Sequence, residues 1–289
     1  FVDININTGL IDENLLEKKL KKAAIQEKLP KILIPVHLAG TSCNMEEIYK
    51  LSKKYNFKII EDASHALGAK YKSTPIGSCK FSDITVFSFH PVKMITTAEG
   101  GVATTNNKFL FEKMKKLRCH GITKNNNEFI FNQEGKWHYE QNLLGYNYRL
   151  SDVQAALGIS QLERLEKIVK KRNELLKFYK SISKNIEISF LDIPEDCLSS
   201  VHLAIVKFNN FNPKFHKTIF NKMKENNIGV QLHYIPIHLQ PFYRKMGFRS
   251  GDFPNSEFYA QNVLSIPLFN ELKKRDQIRV INTLKELLS

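Results

Sequence analysis

The sequence predicts an α/β protein: a mostly parallel sheet with helices on its faces, followed by a smaller α+β region. Three observations predict it. Short apolar runs, KILIPVH (31–37), FKIIED (57–62) and DITVFSF (83–89), are spaced as buried parallel strands. Segments with helical periodicity and capping residues separate or flank them. Past residue 150 the order becomes one long helix, then strands and helices of a second, shorter unit. A boundary near residue 150 is therefore expected, with 1–150 as a large domain and 151–289 as hinge helix and small domain.

The elements follow in order. Residues 2–6 look like a short strand, and 12–28 like a helix with Leu15, Leu16, Leu20, Ala24 and Ile25 on one face. Asn44 followed by Glu47 is a capping-box signature for a helix over 44–56. GGVATTN implies a strand at 101–105, and a helix follows over 106–119. Residues 121–148 are polar, aromatic and loop-rich, long enough to imply a function or disorder. Ser151 and Gln154 form a second capping box at the head of a long helix running to about residue 180. Its apolar face comprises Val153, Leu157, Leu162, Leu165, Val169 and Leu176. The second unit is expected to hold strands at 201–208 and 228–234 and helices at 213–225 and 274–288.

Composition narrows the function classes. The formal charge is +14, from 43 Lys and Arg against 29 Asp and Glu. The lysines are scattered through helical segments rather than set in one stripe with aromatics, which argues against a nucleic-acid binder. A solvated surface, or a field that attracts an anionic small substrate, accounts for the charge. Cys43, Cys79, Cys119 and Cys197 have neither zinc nor disulfide-framework spacing, implying reduced thiols in a cytoplasm. No run reaches the length of a membrane span, and no signal peptide is visible.

Chemistry concentrates at the carboxyl ends of the predicted strands, where open α/β sheets bind ligands. Asp62 and Ser88 stand at those ends, and His90 and Lys93 lie just beyond. An aldehyde cofactor such as pyridoxal phosphate needs a lysine amine, a carboxylate beside the ring nitrogen, and donors for phosphate and ring hydroxyl. Taken singly, each residue has a plainer reading: a turn aspartate, a solvent lysine, a loop histidine. Gly100 and Gly101 are most simply a turn that needs positive φ. His233 and His238 lack a third partner for a metal.

The motifs EDASHALGA (61–69), SFHPVKMITTAEGG (88–101), YNYRLSDVQAALG (146–158) and QLHYIPIH (231–238) together resemble the DegT/DnrJ/EryC1/StrS family across the whole chain. The resemblance implies a sugar aminotransferase of the aspartate-aminotransferase fold (fold type I), dependent on pyridoxal 5'-phosphate. It implies Lys93 as the amine that bonds the aldehyde and later moves the proton, and Asp62 as partner of the pyridinium nitrogen. His65 stands where many members have Gln and would contact the ring hydroxyl; Ser88 would bind the phosphate. Asn147 would reach the phosphate or substrate of a neighbouring subunit, making the site a property of a homodimer. His233 and Tyr234 would line the substrate site. Members with histidine at the lysine position act as dehydrases, so Lys93 favours transamination.

The implied reaction moves the amino group of L-glutamate to C4 of a UDP-linked 4-keto-6-deoxy-N-acetylhexosamine and releases 2-oxoglutarate. A 3-keto substrate, a dTDP or GDP carrier, an inactive fragment and a cofactor-lacking regulator are the alternatives. The chain opens at Phe1 without an initiator methionine. The family's N-terminal phosphate-binding Gly-Ser/Thr motif and ring-stacking aromatic are therefore expected upstream, in an enzyme of roughly 380 residues.

Overall fold

The computed structural model describes residues 1–209 and 213–288. Helix α1 (Glu13–Ile25) is capped by Asp12, whose carboxylate accepts the Leu15 N–H at 2.9 Å. Strand β1 (Ile32–Leu33) leads to helix α2 (Met45–Tyr55) and strand β2 (Lys58–Asp62). A small hairpin follows, β3 (Lys70–Tyr71) and β4 (Thr74–Pro75), and then β5 (Ile84–Ser88) and β6 (Gly101–Thr104). The main sheet runs β1-β2-β5-β6, with β1, β2 and β5 parallel and β6 antiparallel at the edge. Asp62 and Ser88 are the last residues of adjacent strands, so their side chains emerge at the same edge.

Helix α3 (Lys108–Leu117) precedes the segment 121–148, which contains the two-residue strands β7 (Ile122–Thr123) and β8 (Glu140–Gln141). This segment is ordered by a carboxylate: Glu140 accepts the backbone N–H groups of Ile130 and Phe131 at 2.7 and 2.8 Å. The expected long helix is two helices, α4 (Asp152–Leu162) and α5 (Leu165–Ile182). The capping box at Ser151 and Gln154 forms. The two helices break at Glu163–Arg164 because they serve different surfaces. Val169 and Leu176 of α5 are buried, whereas Val153 of α4 is 82% exposed.

The C-terminal sheet is antiparallel, ordered β12-β11-β9, from β9 (Ile188–Phe190), β11 (Ala204–Phe208) and β12 (Val263–Ile266). Strand β10 (Cys197–Leu198) instead joins the β3–β4 hairpin. Helices α6 (Pro213–Glu225), α7 (Pro241–Arg244), α8 (Pro254–Asn262) and α9 (Lys274–Leu288) complete the chain. One core gathers α5, this sheet and α9 around Tyr179, Val206, Leu264 and Leu284. A second lies between α1, α2 and β2 around Leu16, Ile48 and Ile59.

Two expected strands do not form. Residues 2–6 make only the bridge Ile4–Ile11, because Asn5 turns the chain by accepting the Asn7 N–H at 2.9 Å. Asp3 is instead buried and accepts the backbone N–H groups of Asn255 and Ser256 in the first turn of α8. Residues 228–234 make only the bridge Gln231–Ser265. The Asn44 capping box is half formed: its side chain accepts the Glu47 N–H at 3.4 Å, while the Glu47 carboxylate pairs with Lys50.

The two glycines of AEGG have different reasons. Gly100 has φ +154°, and a Cβ there would meet Thr97 Oγ1 at 2.3 Å. Gly101 has no positive φ, contrary to expectation; its Cβ would sit 2.6 Å from the Phe87 carbonyl across the strand pair. Besides Gly100, Ala98 of this turn also has a positive φ, 64°.

Gly40 is a second tight junction near the strand ends. It has φ +93°, and a Cβ would lie 2.4 Å from Ser200 Oγ and 3.0 Å from both the His202 nitrogen and the His65 carbonyl. Gly40→Ala is therefore expected to destabilise the protein by about 2–4 kcal/mol, from left-handed strain plus overlap. Denaturant unfolding monitored by circular dichroism measures this; a change under about 0.5 kcal/mol is what an ordinary surface substitution gives and contradicts it.

Candidate active site

The β5–β6 connection holds Lys93. Phe89 N–H donates to the Gly100 carbonyl at 2.9 Å, and Thr97 N–H donates to the Phe89 carbonyl at 3.0 Å, so the loop is closed at its base. Within it, Lys93 N–H donates to the His90 carbonyl at 2.9 Å, forming a turn that carries the lysine back toward the strand ends. The Gln154 amide ties the loop to α4 by donating to the Glu99 carbonyl at 2.8 Å.

Burial pushes the Lys93 amine below its ordinary range, and the Asp62 carboxylate partly opposes this. No ion pair closes on Lys93 among the described residues, so the amine is held near a carboxylate without being consumed by it. Asp62 accepts the Ser64 N–H at 3.0 Å. Its strand is anchored by the neighbouring Glu61, which is buried and bonds His37 Nε2 at 2.7 Å. His37 Nδ1 accepts the Cys43 N–H, which places the ring proton on Nε2, toward the carboxylate. Burial raises the Glu61 carboxyl, but His37, Ser82 and Thr85 outweigh it and hold it below the usual range.

Three rings surround Lys93 and Asp62. His65 is 6% exposed; its Nε2 meets the Tyr234 hydroxyl at 3.3 Å, and its Nδ1 is buried without a partner. His233 Nδ1 bonds Ser265 Oγ at 2.7 Å. Burial and the Lys93 charge lower His65 to about 4, and the same two causes lower His233. Burial and the Asp62 charge raise the Tyr234 phenol.

A third histidine, His202, escaped sequence reasoning. Its ring lies on His65 at a centroid distance of 4.4 Å, and its Nδ1 is also buried and unpartnered. Burial, then His65 and Arg172, push it down to about 2. The only signal in the sequence was a histidine opening the SVHLAIVKF strand, 109 residues beyond Lys93.

The structure thus brings together Asp62, His65, Lys93, His233 and Tyr234, with Ser88 at the same sheet edge. Ser88 Oγ accepts the His90 N–H at 3.4 Å. Asn147 is not joined to them by any contact among the described residues. It is exposed, pairs with Cys119 across a bridge and accepts from Arg149 at 3.2 Å. His238 is bonded to Glu257 at 2.9 Å, apart from His233. No group of three His, Cys, Asp or Glu side chains among the described residues has the geometry to hold a metal.

Neutral burial of His65 has a stability consequence. An unfolded histidine titrates near 6.5, so the unfolded state takes up a proton that the folded His65 refuses until about pH 4. Stability is fully present above pH 6.5 and falls as pH drops through this window. Between pH 7 and 4.5 this one residue is expected to remove about 2 kcal/mol. Denaturant midpoints at the two pH values measure it, and His65→Gln should flatten that part of the slope.

A family model for DegT/DnrJ/EryC1/StrS aminotransferases matches residues 1–285. The chain belongs to the DegT/DnrJ/EryC1/StrS aminotransferase family. It is 42% identical over 293 residues to a Campylobacter jejuni protein named UDP-4-amino-4,6-dideoxy-N-acetyl-beta-L-altrosamine transaminase, covering 100% of this chain and 73% of that one. Among solved structures, Helicobacter pylori PseC, an aminotransferase of pseudoaminic acid biosynthesis, superposes with a TM-score of 0.87 at 32% identity, over 100% of this chain and 73% of that one. Spr1654 of Streptococcus pneumoniae, described as a sugar aminotransferase and solved in its PMP form, gives 0.87 at 30% identity, over 99% and 75%.

As a DegT/DnrJ/EryC1/StrS enzyme the protein is a pyridoxal-phosphate-dependent sugar aminotransferase of fold type I. Its own geometry fits that cofactor. An uncommitted amine faces a carboxylate at the sheet edge, and the buried His65 Nδ1 beside them lacks a polar partner, as a group awaiting one does.

Proposed function

We propose that this enzyme transfers the amino group of L-glutamate to C4 of a UDP-linked 4-keto-6-deoxy-N-acetylhexosamine, in the cytoplasmic synthesis of pseudaminic acid for surface or flagellar glycans. The observation that carries the chemistry is the uncommitted Lys93 amine beside Asp62. The sugar rests on the similarity to the Campylobacter transaminase and to PseC.

Pyridoxal phosphate, when bound, supplies an aldehyde that links to amines and a ring that accepts the electron pair released at the reacting carbon. Lys93 would hold the cofactor through its amine and would carry the proton to and from C4. Asp62 keeps the proton on the ring nitrogen. Burial favours a deprotonated amine at Lys93, and a proton-moving group needs that state. The Ser88 hydroxyl would donate to the phosphate, and His65, whose Nδ1 lacks a partner, would meet the ring hydroxyl. His233 and Tyr234 bound the sugar side; Tyr234 is 51% exposed and so can meet a ligand.

The functional unit is a homodimer with shared sites. Asn147 lies in a stretch whose apolar side chains face outward: Leu144 is 91% exposed, Tyr148 73%, Val153 82% and Ile159 63%. So much exposed apolar surface supports an interface between two copies, in which Asn147 of one would reach its partner's cofactor.

The test is a visible absorption spectrum of the full-length protein with pyridoxal phosphate, before and after L-glutamate. A band from lysine-bound cofactor that bleaches with glutamate is expected, followed by its return with the UDP-4-keto sugar. Return with a 3-keto sugar or a dTDP carrier instead overturns the substrate and keeps the chemistry.

A further inference from the structure

The segment 199–202 is built to a degree that its sequence does not suggest. Val201, a β-branched residue, has φ 51°, in the left-handed region that such residues avoid. The strain is held from both sides. Ser199 Oγ accepts the Val201 N–H at 3.0 Å. Arg172 of α5, buried and without a carboxylate in hydrogen-bonding reach among the described residues, donates Nη1 to the carbonyls of Val201 and His202 at 3.3 and 3.2 Å. Asn173 donates to the Ser199 carbonyl at 2.9 Å. The His202 N–H donates to the Ala39 carbonyl at 2.8 Å, and Ser200 N–H to the Gly40 carbonyl at 3.0 Å.

All this anchoring serves one neighbour. Ser200 Oγ donates to the His65 carbonyl at 2.8 Å, and the His202 ring lies on the His65 ring, tilted by 40°. One short, strained segment therefore grips both the backbone and the side chain of His65. We propose that His202 is a positioning residue, whose ring backs His65 and turns the unpartnered Nδ1 of His65 toward a polar group of the bound cofactor. The proposal rests on the reading of His65 as a cofactor contact.

The physical sense lies in the charges around the pair. Lys93 from the β5–β6 loop, Arg172 from α5, and Asp62, His233 and Tyr234 face it. Burial first, and then two cations against one carboxylate, disfavour a protonated imidazole at either position. A second imidazole that is itself held neutral backs His65 with a flat, weakly polar ring face and no charge. A neutral His65 keeps one lone pair and one N–H; a protonated one would have only donors. Arg172 and Val201 act through this stack, Arg172 by its bonds to the Val201 and His202 carbonyls.

The experiment compares the full-length wild type with His202→Gln and His202→Phe, each without and with pyridoxal phosphate. Proton NMR follows the His65 ring through pH 4–8, assigned by its absence in His65→Gln. In cofactor-free wild type and in His202→Phe, His65 should stay neutral to about pH 5. In His202→Gln, whose amide oxygen can accept a hydrogen bond from a protonated ring, the midpoint should rise by about one unit or more. Pyridoxal phosphate affinity should fall about tenfold with Gln, the worth of one hydrogen bond, and return with Phe. An unchanged midpoint in the Gln variant, or a raised midpoint with Phe, overturns the proposal. If the Gln variant does not fold, Phe decides alone by the same criterion. A wild type that gives no cofactor band defeats the functional reading, while the titration still decides whether His202 governs His65.

Discussion

Lys93→Ala is expected to lower turnover by about 10⁴-fold or more and to remove the absorption band of lysine-bound cofactor, while the protein stays folded. The size follows from the double use of one amine. In the proposed function it would hold the cofactor and move the proton at the carbon being aminated, and removing a general acid–base group alone costs roughly 10²–10⁴-fold. Folding should survive because Lys93 makes no ion pair among the described residues; the loop is held by backbone bonds at Phe89, Thr97 and Gly100. Its charge, moreover, is disfavoured by burial, so its loss relieves a cost. An added primary amine such as ethylamine should restore part of the activity if the missing group is a proton carrier. A variant that retains full turnover removes Lys93 from the mechanism.

Asp62→Ala should be the second most damaging change, with turnover reduced by roughly 10²–10⁴-fold and a specific electrostatic signature. The Asp62 carboxylate is the interaction that opposes burial at Lys93. Without it the amine titrates at a still lower pH. The rate at which the protein captures pyridoxal phosphate, trapped by borohydride, should therefore reach its plateau at lower pH in the variant than in the wild type. A plateau shifted upward, or not shifted, shows that the two charges are not coupled. The same substitution removes the carboxylate influence on Tyr234, whose phenol should titrate lower than in the wild type.

Much of this was legible in the sequence because it is local. The short apolar runs made β2 and β5 readable, and with them the positions of Asp62 and Ser88 at adjacent strand ends, although one face of these strands is only partly covered: Ile59 and Phe87 are buried, whereas Val86 is 38% exposed. The capping box at Ser151 and Gln154 is a contact between residues three apart and formed as the pattern implies. The order of Asp62, Ser88 and Lys93 in one stretch is compatible with an aldehyde cofactor, and the four family motifs, not that order alone, imply the chemistry.

What failed was non-local. Residues 2–6 alternate like a strand, but Asp3 finds helix α8, some 250 residues away, and no sheet partner. The helix over 149–180 has one continuous periodicity, yet its two ends pack on different surfaces and it breaks between them. Gly101 looked like a turn residue; its reason is the Phe87 carbonyl on the neighbouring strand.

The sequence by itself determined the fold class and placed Asp62, Ser88 and Lys93 at or just beyond the strand ends, since periodicity and residue type act over a few positions. Only the tertiary structure decided which histidines surround Lys93, and that His202, clamped through the strained Val201, stands behind His65. Those neighbours come from segments more than a hundred residues apart, and burial, which sets their charge state, exists only once those segments have packed.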